Sequence, residues 1–371
     1  MTVDVLNRGP VASVGVTKLM IADCDIHPVI RSLQESIYPY LSLRWRRHLE
    51  TYGMSQRVAY QNGAPPYPKA FPNAARRDAW PPGGNPGTDL DFMRLQHLDA
   101  NNVTFAMCNP LMPSGQGFAN AQLSAALCHA TNEWQKHALV AEDRRLRASV
   151  VVPYEDAVAC VQEIDLRAGD TDFAQVLLLS RTAEPLGQRR YWPIFEAAVR
   201  AGLPVAIHAF GYGGGPITSG GWPSYYIEEM TGHAQNAQAL LASLVLEGVF
   251  ERFPTLRVII VEAGFAWLPA LCGRLDKHWL RMRDETPELH RLPSEYIRQQ
   301  VWLTTQPMEE PETREHLLDI IAWIGWDRLL FASDYPHWDY DDPAQALPLR
   351  LTEEQRRQFF YGNAQALYRL D

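Results

Sequence analysis

The stretch Lys18-Leu19-Met20-Ile21-Ala22-Asp23-Cys24-Asp25-Ile26-His27 begins the regular part of the sequence, and its pattern decides the fold class. A mostly apolar run comes first, as in a strand that is covered on both faces, and polar side chains follow directly. In an extended backbone Asp23, Asp25 and His27 point to the same side, so carboxylate and imidazole groups can reach one divalent ion. A solvated strand end with a capping aspartate is the alternative.

Seven further apolar runs follow along the chain, and longer amphipathic segments separate them. Each run is continuous rather than alternating, which is typical of buried parallel strands. Eight strands that alternate with helices predict an α/β fold, a (β/α)8 TIM barrel, and favour it over a doubly wound sheet. No GxGxxG motif follows a strand, so a dinucleotide fold receives no support. The seven runs are Val103–Met107, Ala148–Val152, Gln175–Leu179, Pro204–Ile207, Val258–Val261, Val301–Thr304 and Leu329–Ala332.

The domain organisation predicted from this pattern is simple. Residues 1–17 form an N-terminal arm, and residues 18–371 form a single barrel domain. Two segments exceed the bare repeat: residues 53–88, rich in proline and glycine, after strand 1, and residues 209–224 after strand 5. Both follow strand ends and are therefore predicted to be long loops on the rim where barrel enzymes hold their active sites.

Composition excludes several function classes. The chain has 371 residues and a formal net charge of −9, without a basic run, which argues against nucleic-acid binding. The apolar runs are too short to span a membrane. Five scattered cysteines without a close pair predict reduced, buried thiols and a cytoplasmic location.

Polar side chains also follow the fifth and the eighth apolar run. His208 comes directly after Val205-Ala206-Ile207, and Asp334 lies in Phe331-Ala332-Ser333-Asp334-Tyr335-Pro336-His337. A histidine bonded to the backbone and an aspartate that caps the next helix are the alternatives for single residues. Together, Asp25, His27, His208 and Asp334 form a mixed oxygen and nitrogen set that suits Zn²⁺, Mn²⁺ or Fe²⁺ with a position open for water.

These motifs resemble those of the amidohydrolase superfamily, in the amidohydrolase-related branch that includes the aminocarboxymuconate semialdehyde decarboxylases. The resemblance covers the chain from about residue 18 to its C-terminus. It implies a metal-dependent barrel that binds one small-molecule substrate, with Asp25, His27, His208 and Asp334 as ligands and zinc as the first expectation. The motifs are Asp25-x-His27, His208, Val261-Glu262-Ala263-Gly264-Phe265-Ala266-Trp267-Leu268-Pro269 leading to Arg274-Leu275-Asp276, and Phe331–His337.

The sequence departs from the family pattern at two positions. Many members carry histidine where this chain has Asp25, and a catalytic histidine where this chain has Glu262 after strand 6. Glu262 is therefore predicted to act as a general base or to bind a second metal ion. His233, on the helical segment before strand 6, is the second catalytic candidate, with a surface helix position as its alternative. His337 is predicted to bind substrate or to make a structural hydrogen bond.

Three functions are consistent with these residues. The first is hydrolysis or decarboxylation of a small carboxylate-type substrate at one metal ion. The second is a non-heme iron or manganese hydroxylase, in which Asp23, Asp25, Glu262 and His233 would help to bind two ions. The third is a structural metal-binding subunit of a hetero-oligomer with a related barrel subunit. If the protein has either of the first two functions, we expect a homo- or hetero-oligomer.

Overall fold

The computed structural model describes residues 19–54, 74–111, 114–211 and 215–370. Within these ranges eight parallel strands form one sheet in the order β1 to β8, and helices lie between them, so the predicted (β/α)8 barrel is confirmed. The predicted N-terminal arm, residues 55–73 of the first rim loop and residues 212–214 of the second lie outside the described residues. The strands are β1 Ile21–Ile26, β2 Val103–Cys108, β3 Leu146–Val151, β4 Phe173–Arg181, β5 Val205–Gly211, β6 Val258–Val261, β7 Val301–Thr304 and β8 Leu329–Leu330.

Helix ends follow ordinary capping rules. Asp89 accepts a hydrogen bond from the Phe92 backbone at the start of one helix, and Gly202 takes a left-handed conformation at the end of another. In the described ranges, every helix is too short or too polar to cross a bilayer. The helices are α1 Leu33–Ser36, α2 Leu43–Tyr52, α3 Leu90–Met93, α4 Ala121–Trp134, α5 Ala157–Arg167, α6 Trp192–Ala201, α7 Tyr226–Leu246, α8 Val249–Arg252, α9 Leu268–Met282, α10 Pro293–Gln300, α11 Arg314–Ile324, α12 Glu353–Arg357 and α13 Asn363–Tyr368.

The strand side chains divide into two clusters with the two-residue period of a strand. Leu177, Ala206 and Ile259 belong to a small cluster inside the barrel. Val176 and Ile207 belong to the large cluster, which also contains the buried side chains of the helices. Both faces of the strands are therefore largely buried, which explains why the strands are continuous apolar runs in the sequence.

The first strand lies further along the chain than its predicted apolar run, and an irregularity in it changes the direction of one side chain. β1 includes Asp23, Cys24 and Asp25, and its pairing with β2 shifts register between Asp23 and Ile26. The prediction that Asp23 points to the same side as Asp25 and His27 is wrong, because the irregular strand interrupts the alternation. The side chain of Asp23 instead contacts His97 and Ser333.

Candidate metal centre

Five side chains from four strand ends converge at the carboxyl-terminal mouth of the barrel. Asp25 lies in β1 and His27 directly follows it; His208 lies in β5, Glu262 directly follows β6, and Asp334 lies in the segment after β8. Asp25, His27, His208 and Glu262 each offer a donor atom, and these atoms lie within 4.8 Å of one another. His27, Glu262 and Asp334 form a second, overlapping set with His337. All four ligands predicted from the sequence are therefore in one place.

The donor atoms fit a cation better than they fit each other. Among the described residues, Asp25 Oδ2, His27 Nε2, His208 Nε2 and Glu262 Oε2 are buried without a hydrogen-bond partner. Some are nevertheless close, with His27 Nε2 2.9 Å from Asp334 Oδ1 and His208 Nε2 3.0 Å from Glu262 Oε2. Short distances without hydrogen-bond geometry are expected where atoms face a common point, and unpaired buried polar atoms are otherwise costly. The arrangement supports a divalent metal site.

Hydrogen bonds behind the donors fix their orientation. His27 Nδ1 lies 2.8 Å from the carbonyl oxygen of Asn109, and His208 Nδ1 lies 2.8 Å from that of Ala209. Each ring therefore donates from Nδ1 and leaves Nε2 free to bind a metal, as is usual for metal-binding histidines. The amide of Asn109 also donates to Asp25 Oδ1 over 2.8 Å. Asn109 was not among the predicted residues, although its position directly after β2 was a usable signal.

The buried carboxylates of Asp25 and Glu262 are stabilised by positive charge in the site. Burial works to raise the pKa of Asp25, but the charges of His27 and His208 outweigh it and lower that pKa. Burial works to lower the pKa of His208, but Asp25 and Glu262 outweigh it and raise that pKa to about 10. Without an ion, the carboxylates would therefore favour a proton on the imidazoles. A divalent cation would supply this positive charge in their place.

A short hydrogen bond connects the side chains of Asp334 and His337. His337 Nδ1 lies 2.6 Å from Asp334 Oδ1, and the His337 ring stacks on His27 with 4.3 Å between centroids. Gln306, which the sequence reasoning missed, donates to Asp334 Oδ2 over 3.3 Å. Asp334 has a φ of 60°, a left-handed conformation that is costly for a residue with a side chain and is common at functional sites. His337 thus adjoins the metal site, and substrate binding by its ring stays a prediction.

Glu262 is shared by the two donor sets, as is His27. Glu262 has a φ of 55°, and its backbone N–H donates to Thr304 Oγ1 over 3.1 Å. Burial raises the pKa of Glu262, and the neighbouring charge of Asp334 adds to this. A carboxyl group that holds its proton more tightly than usual is suited to exchange a proton with a substrate.

His233 is buried on α7, which excludes the surface alternative. Its side chain packs on the ring of Phe210 with 4.4 Å between centroids, and neither ring nitrogen has a hydrogen-bond partner among the described residues. Burial lowers its pKa to about 4, although the charge of Glu262 opposes this. His233 is therefore neutral near pH 7. It does not belong to either donor set within the described part of the chain, and its catalytic role stays a prediction.

We expect His233 to make the stability of the metal-free protein depend on pH. Its pKa of about 4 in the folded chain lies below the ordinary value of about 6.5, so the unfolded chain binds the proton more tightly. The stabilisation is complete above pH 6.5 and is lost as the pH falls towards 4, by roughly 3 kcal/mol. In His233→Gln this loss should be absent, as measured by urea unfolding between pH 4 and 6.5.

The exposed His290 offers the control for this measurement. His290→Gln should keep the pH dependence of the wild type. An unchanged slope in His233→Gln would show that His233 is not held neutral by burial.

An eight-stranded barrel with carboxylate and imidazole donors at the carboxyl ends of its strands defines a class of metal-dependent barrel enzymes. The chain matches the family model described as Amidohydrolase over residues 22–370, and it belongs to that family. The predicted superfamily, and the prediction that the chain is an enzyme, are confirmed by this match together with the curated relatives.

Those relatives are decarboxylases. Gamma-resorcylate decarboxylase of Polaromonas sp. is 24% identical over 310 residues, which cover 79% of this chain and 91% of the relative. The 2-amino-3-carboxymuconate-6-semialdehyde decarboxylase of Dictyostelium discoideum is 21% identical over 66% of each chain. These proteins belong to the branch that the sequence motifs indicated.

Solved structures share the fold. A 5-carboxyvanillate decarboxylase of Novosphingobium aromaticivorans, crystallised with bound manganese, aligns with a TM-score of 0.68 at 20% identity, covering 95% of this chain and 97% of that one. A dihydroxybenzoic acid decarboxylase of Polaromonas sp., also with bound manganese, aligns with a TM-score of 0.62 at 18% identity, covering 95% and 97%.

Proposed function

We propose that the chain is a metal-dependent carboxy-lyase that removes CO₂ from a small aromatic carboxylate. The observation that carries the proposal is the group of buried donor atoms without partners at the barrel mouth. The relatives add the reaction class, since they are named as decarboxylases of gamma-resorcylate and of 2-amino-3-carboxymuconate-6-semialdehyde. Asp25, His27, His208 and Asp334 would hold the ion. A divalent ion in this position supplies a Lewis acid for substrate oxygen atoms.

The chain's own residues would then manage the proton. In decarboxylation the bond between the ring carbon and the carboxyl carbon breaks, CO₂ leaves, and the electron pair on the ring carbon takes a proton. Glu262 has the raised pKa of a proton donor at this point. His233 is neutral and buried nearby, so it would relay a proton from outside back to Glu262. His337, bonded to Asp334, would orient that ligand and face the substrate.

The identity of the ion and the surroundings of the protein are further parts of the proposal. Zinc is the first expectation from the motifs. Manganese has equal claim, because Asp25 adds a hard oxygen ligand and the structural neighbours are described with manganese. All five cysteines are buried and free, which supports a reducing, cytoplasmic location. An assembly with a second copy or with a related barrel subunit is also proposed.

A two-ion redox enzyme is the second candidate. The observation in its favour is that there are two donor sets, which share His27 and Glu262. Asp25 and His208 complete the first set, and Asp334 and His337 complete the second. The carboxylate and imidazole groups of the two sets together are more than a single ion needs. Asp23 is not one of them, because its carboxylate is bonded elsewhere. A hydroxylase, or a subunit with a structural metal, would follow from this arrangement.

One experiment tests these alternatives together. Purified protein loaded with Mn²⁺, Zn²⁺ or Fe²⁺ is incubated with 2,6-dihydroxybenzoate and 5-carboxyvanillate, with and without ascorbate as a reductant, and CO₂ release, oxygen uptake and metal content are measured on the same samples. We expect CO₂ release with one ion per chain and no oxygen uptake. Two iron or manganese ions with oxygen consumption would support the hydroxylase. Bound metal without either activity across a wider set of carboxylates would support the structural subunit.

A further inference from the structure

The seam between β1 and β8 is where the barrel closes, and two predicted ligands lie on it. β8 has only two residues, so the chain beyond it completes the closure. The Cys24 N–H donates to the carbonyl oxygen of Phe331 over 2.9 Å, and the Asp334 N–H donates to that of Asp25 over 3.1 Å. The relative position of Asp25 and Asp334 therefore depends on a few hydrogen bonds across this seam.

One carboxylate bonds to both sides of the seam. Asp23 Oδ1 accepts hydrogen bonds from the backbone N–H groups of Asp25, at 3.2 Å, and of Ser333, at 2.9 Å. Asp23 Oδ2 accepts from Ser333 Oγ at 2.5 Å and from His97 Nε2 at 2.7 Å. Two of these four hydrogen bonds connect Asp23, which lies two residues before the predicted ligand Asp25, to Ser333, which directly precedes the predicted ligand Asp334. Asp23 is fully buried and belongs to neither donor set, and both of its carboxylate oxygens accept hydrogen bonds.

His97 holds this carboxylate from the helix layer. The imidazole is fully buried just before β2, and its ring stacks on Tyr335 with 4.9 Å between centroids. Nδ1 lies 3.3 Å from Tyr340 Oη and 3.3 Å from Asn101 Nδ2. A histidine that donates from Nε2 to Asp23 and accepts at Nδ1 satisfies all of these contacts in its neutral form. The two residues next to Asp334 are thus both held in place: Ser333 bonds to Asp23, and Tyr335 stacks on His97.

We propose that Asp23 is a positioning residue for the metal centre, and that His97 orients it. The inference rests on the proposed metal site, since its effect is on how well Asp25 and Asp334 are placed for an ion. Asp23 holds the two ligand segments in register without touching the ion or the substrate. An asparagine could accept at only one of its two atoms, and its NH₂ group would face hydrogen-bond donors of Ser333 or His97.

The test measures Mn²⁺ binding to the full chain by competition with a metal indicator. We expect Asp23→Asn to bind Mn²⁺ about 10- to 100-fold more weakly, the range typical of groups that orient ligands from behind. His97→Phe, which removes the donor to Asp23, should weaken binding in the same direction. His97→Gln keeps an N–H donor and should restore part of the affinity. The electron paramagnetic resonance spectrum of bound Mn²⁺ should broaden or shift in Asp23→Asn, because its ligands are less well placed.

Glu163→Gln is the matched control. Glu163 is also a buried carboxylate with a histidine partner, His129, but it lies on α5 away from the mouth. Its replacement should lower stability and leave Mn²⁺ affinity within about 2-fold, a shift of less than about 0.5 kcal/mol. Unchanged Mn²⁺ affinity in Asp23→Asn, or in His97→Phe if the first variant does not fold, would overturn the inference. An equal loss in Glu163→Gln would also overturn it, whereas a wild type that binds neither Mn²⁺ nor Zn²⁺ would reject the metal site itself.

Discussion

Replacing His208 with alanine is expected to remove tightly bound divalent metal from the protein. His208 is fully buried within β5, and its Nε2 atom lies 3.4 Å from Asp25 Oδ2 and 3.0 Å from Glu262 Oε2. Its loss would remove the proposed nitrogen ligand and the imidazole that lies beside two carboxylates. Because changes behind the ligands already cost about 10- to 100-fold in affinity, the loss of a ligand should cost more than about 100-fold.

Metal analysis after dialysis, and binding of Mn²⁺ or Zn²⁺ to the stripped protein, measure this effect. Asp334→Ala should give the same result from the other side of the site. The stabilisation that added metal gives the wild type against heat should also disappear in both variants, because only the folded site binds the ion. His290→Ala changes an exposed histidine and should retain the metal. Full occupancy in His208→Ala and Asp334→Ala would refute the ligand assignment.

Replacing Glu262 with glutamine is expected to abolish turnover without unfolding the protein. Glutamine has nearly the same shape, but it cannot exchange a proton, and a positioned acid or base typically contributes about 100- to 10,000-fold to a rate. In the wild type, turnover should also fall once the pH is high enough to remove the proton from Glu262, because the proton donor is then lost. Initial rates of CO₂ release under saturating metal measure both effects.

The metal content of Glu262→Gln separates its two possible roles. Retained metal together with lost turnover supports the proton-transfer role. Loss of one ion from a protein that binds two would make Glu262 a ligand of the second ion. An active Glu262→Gln variant with normal metal content would leave neither role standing. Glu163→Gln, which is remote from the mouth, should keep both the metal and the activity.

Much of the fold could be predicted because barrel strands are easy to recognise in a sequence. Their two buried faces produce continuous apolar runs, and β6 and β7 have the bounds that the sequence predicted, Val258–Val261 and Val301–Thr304. The predicted strand boundaries were wrong where polar residues continue a strand. β1 extends through Asp23 and Asp25, whose side chains find partners that no local pattern reveals. A rule based on apolar residues ends such a strand too early.

The candidate site was predictable only in part, because its ligands and its supports obey different rules. Asp25, His27, His208 and Asp334 each follow an apolar run closely, so shared position at strand ends was enough to group them. Their supports are scattered. His97 lies on a helical segment, and it contacts Asp23 across 74 positions of the chain. Nothing in the residues around His97 marks that contact.

The sequence by itself determined that the chain forms a barrel, that four candidate ligands stand at its mouth, and that a carboxylate follows β6. These properties depend on local composition and on the rule that parallel strands end at one face. Only the tertiary structure decided that Asp23 turns away from Asp25, that burial of His233 lowers its pKa, and that Glu262 belongs to both donor sets. The reason is physical. A register shift, the packing of a helix and the closure of β1 on β8 set side-chain direction through contacts between residues that are distant in the chain.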